Sequence, residues 1–273
     1  MKVLGLIASP RSLGNSEICV KEILRNLPQE WEKEIINISR LHIEPCKACY
    51  SCLSAGKKCI IHDDLERFLE KIQWADRVVL AGPVYFLGEQ TSVKLIKDRL
   101  LTILNEGETF FNNKPCVIAI PHGIENWEGY GREAMLNFAG FLGLKVLGCR
   151  IINKHLPGQA AEEDSLAKLR ALAGALAENK ELPPEKHDII YCPVCQSSLL
   201  QIHSDGNWHC VMCGASGQLT ADNGKLAMGG LDLGVPRYSK EGMEHHGQAL
   251  LGVNKEFREK RREIITYLKP YKD

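Results

Sequence analysis

The first two thirds of the chain alternate short apolar runs with longer amphipathic stretches, and this alternation limits the fold more than any other feature of the sequence. Residues 3–8, 35–38, 77–81, 116–120 and 146–152 are strand-like runs. Between them, residues 16–27, 65–74, 91–104, 132–142 and 166–177 repeat apolar side chains at helical spacing. Strand–helix–strand winding lays successive strands parallel in one sheet with helices on both faces, so the expected class is α/β and doubly wound. Five strands wound in this way suit the order 2-1-3-4-5. The periodicity stops at Glu181-Leu-Pro-Pro-Glu185, a proline pair between charges that reads as a linker. The expected organisation is therefore a doubly wound domain over 1–181, a short turn-rich unit over 188–228 and a charged helix over 238–269. A second flexible stretch is expected from Met228-Gly-Gly onward, and Leu250, Val253, Phe257, Ile264 and Leu268 fall on one side of the helix.

With 273 residues, 44% of them hydrophobic, the chain is long enough for a sizeable core. Lys plus Arg and Asp plus Glu are equal at 34 each, so no bulk positive field exists to hold nucleic acid or an anionic membrane surface, and neither is expected as a partner. The basic cluster at 258–262 is interleaved with Glu256, Glu259 and Glu263, the pattern of a solvated helix face. The opening apolar run is shorter than a secretory core, and no later stretch approaches the roughly 18 apolar residues of a membrane span, which leads us to expect a cytoplasmic protein. Eight of the 11 cysteines fall into two tight groups, which favours metal over disulfides. Cys19, Cys116 and Cys149 lie in apolar patterns and are expected as buried thiols.

The first strand runs directly into Ser9-Pro-Arg-Ser-Leu-Gly-Asn-Ser16, after which a helix begins. Free N–H groups and the positive helix end converge on such a loop, Ser9, Ser12, Asn15 and Ser16 add donors, and Arg11 adds charge. The loop is therefore a candidate anion site, or else a polar turn with Asn15 or Ser16 as N-cap. Neither GxGxxG nor GxxxxGK[ST] occurs there, which argues against a dinucleotide or a nucleoside triphosphate.

Ser9-Pro-Arg11 with Gly14-Asn15-Ser16 resembles the FMN phosphate loop of the NADPH-dependent FMN reductase family, a branch of the flavodoxin-like fold. Gly82-Pro-Val-Tyr-Phe86, followed by Lys94 and Asp98-Arg99, is similar to a second segment of that family. The resemblance implies that Pro83, Val84, Tyr85 and Phe86 lie against the flavin ring. Loops after the first and third strands flank the switch point of a sheet in this order, where ligands settle. The loop after the fourth strand, from Pro121-His-Gly to Gly131, has fewer glycines than the family's and an added Trp127.

In the loop after the second strand, Cys46, Cys49, Cys52 and Cys59 give C-x2-C-x2-C-x6-C. Four thiolates in this compact loop, 44–62, suit an iron–sulfur cluster or zinc by ligand type. The quartet followed by Asp63-Asp64 and the PVYF segment resembles the iron–sulfur flavoproteins of anaerobes, which implies a [4Fe-4S] cluster; a metal-free loop is the alternative.

Further on, Cys192, Cys195, Cys210 and Cys213 form two CxxC knuckles separated by fourteen residues, a tetrahedral thiolate pattern. The CPxC knuckle, a hairpin at Gly206-Asn-Trp208 and a CxxCG knuckle resemble a zinc ribbon, with iron in a rubredoxin-like site as rival. Trp208, Leu199, Leu200 and Leu219 are its expected core, and His203 and His209 stand outside the ligand set. No GxSxG or HExxH occurs, and no acid or base stands out.

The expected function is an FMN-dependent redox protein that passes electrons between a ferredoxin-type or nicotinamide donor and an acceptor through a [4Fe-4S] cluster. The alternatives are an NAD(P)H-dependent FMN or quinone reductase without a cluster, and a redox-sensing protein that uses the ribbon to recognise a partner. The resemblance also implies a homo-oligomer, a dimer or tetramer.

Overall fold

The computed structural model describes residues 1–105, 110–186, 188–222 and 225–271. In chain order the elements are β1 (Lys2–Ile7), α1 (Asn15–Arg25), β2 (Glu32–Asn37), α2 (Leu65–Trp74), β3 (Arg77–Ala81), the short pair β4 (Val84–Tyr85) and β5 (Gly88–Glu89), α3 (Thr91–Lys97), β6 (Lys114–His122), α4 (Gly131–Phe141), β7 (Leu144–Asn153) and α5 (Glu163–Glu178). They are followed by β8 (Leu200–Ile202), β9 (Asn207–Cys210), β10 (Ser216–Asp222), β11 (Lys225–Asp232) and the long helix α6 (Lys240–Leu268).

The first sheet has the order β2-β1-β3-β6-β7 with every pairing parallel, so the flavodoxin-like topology expected from the winding is present. Its central strands β1, β3 and β6 are buried on both faces and divide their side chains accordingly. Leu4, Leu6, Val78, Leu80, Cys116 and Ile118 face a core shared with Phe68, Ile72, Ile96 and Phe138 from α2, α3 and α4. Val3, Ile7, Val79, Ala81, Val117 and Ala119 face a second core with Val20, Ile23, Leu169 and Leu172 from α1 and α5. Gly5 lets α1 approach closely, since a Cβ there would lie 2.5 Å from Val20. Cys19, Cys116 and Cys149 are buried in these cores, and burial pushes the thiols of Cys19 and Cys149 up to about 12 and about 11.

Several local expectations need correction. Helix α1 is capped by Gly14, not by Asn15 or Ser16, because the Asn15 side chain is drawn away to the exit of β7. The helix expected over 91–104 ends at Lys97 and continues as a 3-10 segment, Leu100–Asn105, that carries Thr102 and Asn105 toward the cysteine loop. The Glu181–Glu185 segment, read as a linker, has no helix or strand and is held to the first sheet: Leu182 donates its N–H to the carbonyl of Leu147 at 2.7 Å, and the Glu185 carboxylate accepts from the N–H of Ile151.

The second sheet is antiparallel, β11-β10-β9-β8. Residues 228–232, expected as flexible, belong to its outer strand β11, paired with β10; residues 223 and 224 of the expected unit lie outside the described residues. Its buried cluster is Cys192, Trp208, Cys210, Cys213 and Ala215, with Leu200, Leu219, Met212, Met228 and Tyr238 packed against it. Leu199, expected in this core, is exposed. Helix α6 buries Met243 against the first core and then leaves it, so that Val253, Phe257 and Leu268 are exposed.

Candidate functional site

The carboxyl ends of β1, β3 and β6 open onto one cleft. A cavity of about 130 Å³ is lined by Ser9, Arg11, Gly14, Asn15 and Ser16 from the loop after β1, by Pro83, Val84 and Tyr85 after β3, and by Pro121, His122 and Gly123 at the end of β6. Lys154, His155 and Pro157 after β7 close it. Strand pairing holds the mouth of the cleft, with the Ala8 N–H on the Ala81 carbonyl and the Gly82 N–H on the Ala119 carbonyl.

Two residues expected in the cleft do not line it. The Ser12 hydroxyl instead accepts from Arg40 at 2.8 Å. Phe86 is fully exposed, at a left-handed φ of 47° in the turn between β4 and β5. Trp127 and Ile124, in the loop after β6, are exposed as well.

The Asn15 amide donates to the carbonyls of Lys154 and Leu156 at 3.0 and 3.1 Å, and its oxygen accepts from the N–H of Ala160 at 3.2 Å. Its side chain is thus a brace between the two ends of the cleft. His122 comes from the Pro121-His-Gly segment already noted in the sequence, whereas Lys154 and His155, at the end of β7, carried no local signal. Lys154 pairs with Glu162 and Asp164, whose hydrogen bonds raise its pKa. The imidazole Nε2 of His122, in a residue only 7% exposed, makes no hydrogen bond among the described residues and lies 3.8 Å from Glu128. A phosphate fits the free N–H groups, hydroxyls and Arg11 at one end of this cleft, and a flat ring fits Tyr85 and the strand ends at the other.

The first cysteine group occupies the loop between β2 and α2. Ala48 and Tyr50 take left-handed φ values of 48° and 55°, which fold the loop back on itself. Sulfur atoms receive donors: the Ala48 N–H reaches Cys46 at 3.4 Å, and the Ser51 hydroxyl and N–H hold the Cys49 thiol below its usual range. Burial, and after it the nearby Cys59, Cys46 and Cys49, push the Cys52 thiol up. Three residues after α3 fasten the loop: Arg99, which the sequence offered only as part of a family motif, and Thr102 and Asn105, which it did not single out. Arg99 donates to Cys59 and to the carbonyls of Glu44 and Ile61, the Thr102 hydroxyl accepts from the Cys59 N–H, and Asn105 donates to the carbonyls of Cys52, Ser54 and Lys57.

The second group is packed more tightly. The sulfurs of Cys192, Cys195, Cys210 and Cys213 all lie within 4.8 Å of one another, and His203 and His209 are not among them. The knuckles match: Gln196 donates its N–H to the Cys192 carbonyl and Gly214 to that of Cys210, each at a left-handed φ, 61° and 89°. Thiol–thiol hydrogen bonds lower the pKa of Cys192 and Cys210 and raise that of Cys195 and Cys213, so a fully ionised set calls for a cation. Four thiolates at this spacing fit one tetrahedral ion. The first knuckle is fixed to α4, where buried Glu133 accepts from the Ser198 hydroxyl at 2.8 Å and Arg132 donates to the Gln196 carbonyl at 2.8 Å.

A doubly wound sheet with its cleft at the β1/β3 switch point and a cysteine loop beside it defines a flavin-dependent oxidoreductase with a flavodoxin-like fold. Residues 1–149 match the family described as NADPH-dependent FMN reductase, and the chain belongs to that family. An iron–sulfur flavoprotein of Methanocaldococcus jannaschii is 39% identical over 100 residues, 36% of this chain and 51% of the relative, so the match spans about half of that protein. An iron–sulfur flavoprotein of Archaeoglobus fulgidus is 28% identical over 187 residues, covering 65% of this chain and 80% of the relative. Among solved structures, a flavone reductase aligns over 98% of this chain and 93% of its own with a TM-score of 0.64 at 20% identity, a likeness of fold. Among the described residues no helix is long and apolar enough to cross a membrane.

Proposed function

We propose that the chain is an iron–sulfur flavoprotein that passes electrons between a ferredoxin-type or nicotinamide donor and an acceptor. FMN would be held by Ser9, Arg11, Gly14, Ser16 and the main chain of Asn15 at its phosphate and by Pro83, Val84 and Tyr85 at its ring, with Ser12 and Phe86 outside the cleft lining. A [4Fe-4S] cluster would be held by Cys46, Cys49, Cys52 and Cys59. Bound together, the two groups supply one-electron exchange on the cluster side and two-electron exchange on the organic side.

The observation that carries this reading is the difference between the two cysteine groups. Among the described residues the ribbon cysteines are gathered to the spacing of a single ion, while sulfurs of the loop cysteines receive N–H and O–H donors from the protein. A cubane takes one thiolate at each of its four irons, and hydrogen-bonded sulfurs in one compact loop suit that demand. The names of the archaeal relatives support the same assignment. For Cys192, Cys195, Cys210 and Cys213 we propose zinc, whose role is to hold the ribbon on α4. A cytoplasmic setting is part of this reading, since reducing conditions suit the free cysteines.

The protein's work in this reading is placement. The brace at Asn15 keeps the phosphate loop against the end of β7, and the fastening by Arg99, Thr102 and Asn105 ties the cysteine loop to the segment that begins at the β4–β5 turn. A second copy of the chain is the proposed partner of α6, since Leu250, Phe257 and Ile264 recur every seventh residue along a largely exposed helix. Light scattering that gives the mass of one chain would remove that partner.

The test of the main reading is anaerobic purification with iron, sulfide and flavin counts. About four iron and four acid-labile sulfide per chain are expected beyond any ribbon metal, and Cys49→Ser should lower both while FMN stays. Protein with FMN but no labile sulfide, even after reconstitution with iron and sulfide, would leave the plain NAD(P)H-dependent FMN or quinone reductase instead.

A further inference from the structure

Arg99 sits directly after α3 and is 3% exposed. Its guanidinium pairs with the Asp63 carboxylate, also buried, and the pair is fixed from both sides: Asp63 accepts from the N–H groups of Glu44 at 2.8 Å and Leu65 at 3.1 Å. The remaining N–H groups reach the carbonyls of Glu44 and Ile61 at 3.1 and 3.3 Å and the Cys59 sulfur at 3.4 Å, and Nε has no partner among the described residues. Breaking or building such a pair in a protein interior is costly, and a buried ion pair is a weak source of net stability. Stability alone therefore gives a poor account of it. What the arrangement achieves is specific: one permanently charged fork joins the entry of the cysteine loop (Glu44), its exit (Ile61) and the sulfur of its last cysteine.

Cys59 also differs from the other three cysteines in its distance along the chain. Cys46, Cys49 and Cys52 are three residues apart and share one local turn, whereas Cys59 returns after six intervening residues and needs an external hold. It receives that hold at two atoms, its N–H on Thr102 at 3.0 Å and its sulfur on Arg99. No other cysteine of the group has a cationic side chain hydrogen-bonded to its sulfur among the described residues.

From these contacts we infer that Arg99 is a positioning residue for the first cysteine group: it sets the Cys59 sulfur at its corner and raises the reduction potential of the group bound there. The inference rests on the proposal that the loop holds an iron–sulfur cluster. Hydrogen bonds to cluster sulfurs and nearby positive charge favour the more negative, reduced form, and both come from the same side chain here. Asp63 offsets the charge of Arg99 but makes no contact with Cys59, so the hydrogen bond to sulfur is the part of the effect that the pair does not cancel.

The test is an anaerobic redox titration of the full-length holoprotein, following the iron–sulfur absorption and the flavin bands separately. The double variant Arg99→Gln with Asp63→Asn removes both charges together and leaves no buried ion unpaired. Its cluster should reduce less readily, by about tenfold in the reduced-to-oxidised ratio at a given potential, which is about 59 mV for one electron, while the flavin couple stays in place. Arg99→Lys, which keeps the charge against Asp63 but loses the fork, should shift the cluster in the same direction and decides the matter if the double variant does not fold. Either variant losing iron and sulfide while keeping FMN and its circular dichroism also supports the positioning role. A cluster at full stoichiometry with an unmoved midpoint would overturn the inference and leave the cluster reading intact. Wild-type protein that never takes up sulfide would overturn both.

Discussion

Replacing Asn15 with alanine separates two roles that one side chain in a phosphate loop can have. The Asn15 amide makes three hydrogen bonds within the protein, to Lys154, Leu156 and Ala160. At about 1 kcal/mol net for each bond, Asn15→Ala should cost the flavin-free protein about 2–3 kcal/mol. For a domain of this size that corresponds to about 5–10 °C in Tm. Because the same bonds persist when FMN is bound, flavin affinity should change by only a small factor. Arg11→Ala is the contrasting case: Arg11 is exposed, and its loss removes a charge-assisted contact to a phosphate, so FMN should bind about tenfold or more weakly with little change in Tm. Thermal melts of the flavin-free proteins and fluorescence titration with FMN give both quantities. An Asn15→Ala protein that melts with the wild type and binds FMN tenfold more weakly would refute the brace and return the side chain to the phosphate.

Chelating the metal of the second cysteine group should release β8–β11 while the five-stranded sheet stays folded, because three of the five buried residues of the ribbon core are ligands; hydrogen exchange that still protects 207–221 in protein verified metal-free would count against this. The Asp63–Arg99 pair predicts a particular acid sensitivity. Burial alone would raise the Asp63 carboxyl, but Arg99 and the N–H groups of Glu44 and Leu65 hold it below its ordinary 3.8. Its stabilisation is thus fully present above pH 3.8 and is lost as the pH falls through the lower folded value. The urea midpoints of the wild type and Asp63→Asn should differ near neutrality and converge in acid, and a gap that stays constant into strong acid would contradict the pairing.

The fold was legible where the residue pattern alone dictates it. Helix α2 and strand β3 begin and end where apolar periodicity predicts, since each buries one clear face or both. The gathering of the four ribbon cysteines was legible for a similar reason: two CxxC knuckles are local turns, and only their meeting in space is tertiary. Arg99 was read only as part of a family motif, because its partners lie 36 to 55 residues away and an Asp-Arg pair at a helix end reads as surface charge until the chain folds. Asn15 was legible as a loop residue but not as a brace, for its acceptors lie 139 and 141 residues on. The 3-10 stretch after α3 escaped notice because apolar spacing there also fits a longer helix. Its true course follows from where Thr102 and Asn105 must reach.

The contacts of α4 explain why the ribbon and the flavin cleft bear on each other although they share no lining residue. The helix begins just after the loop that leaves the cleft at Gly123, and Tyr130 before it donates its N–H to the Leu87 carbonyl at 2.7 Å, against the turn that follows Tyr85. Gly88 permits this approach, because a Cβ there would lie 2.7 Å from the Tyr130 hydroxyl. One turn later Arg132 and Glu133 hold Gln196 and Ser198 of the first knuckle, and further along Asn137 donates to the Tyr238 hydroxyl at 3.0 Å, with Phe141 edge-on to the same ring. A single helix therefore carries the flavin-side turn at its start and the ribbon along its length. Loss of the ribbon metal would leave the buried Glu133 carboxylate without its Ser198 donors, and the part of α4 nearest the cleft would lose its anchor first.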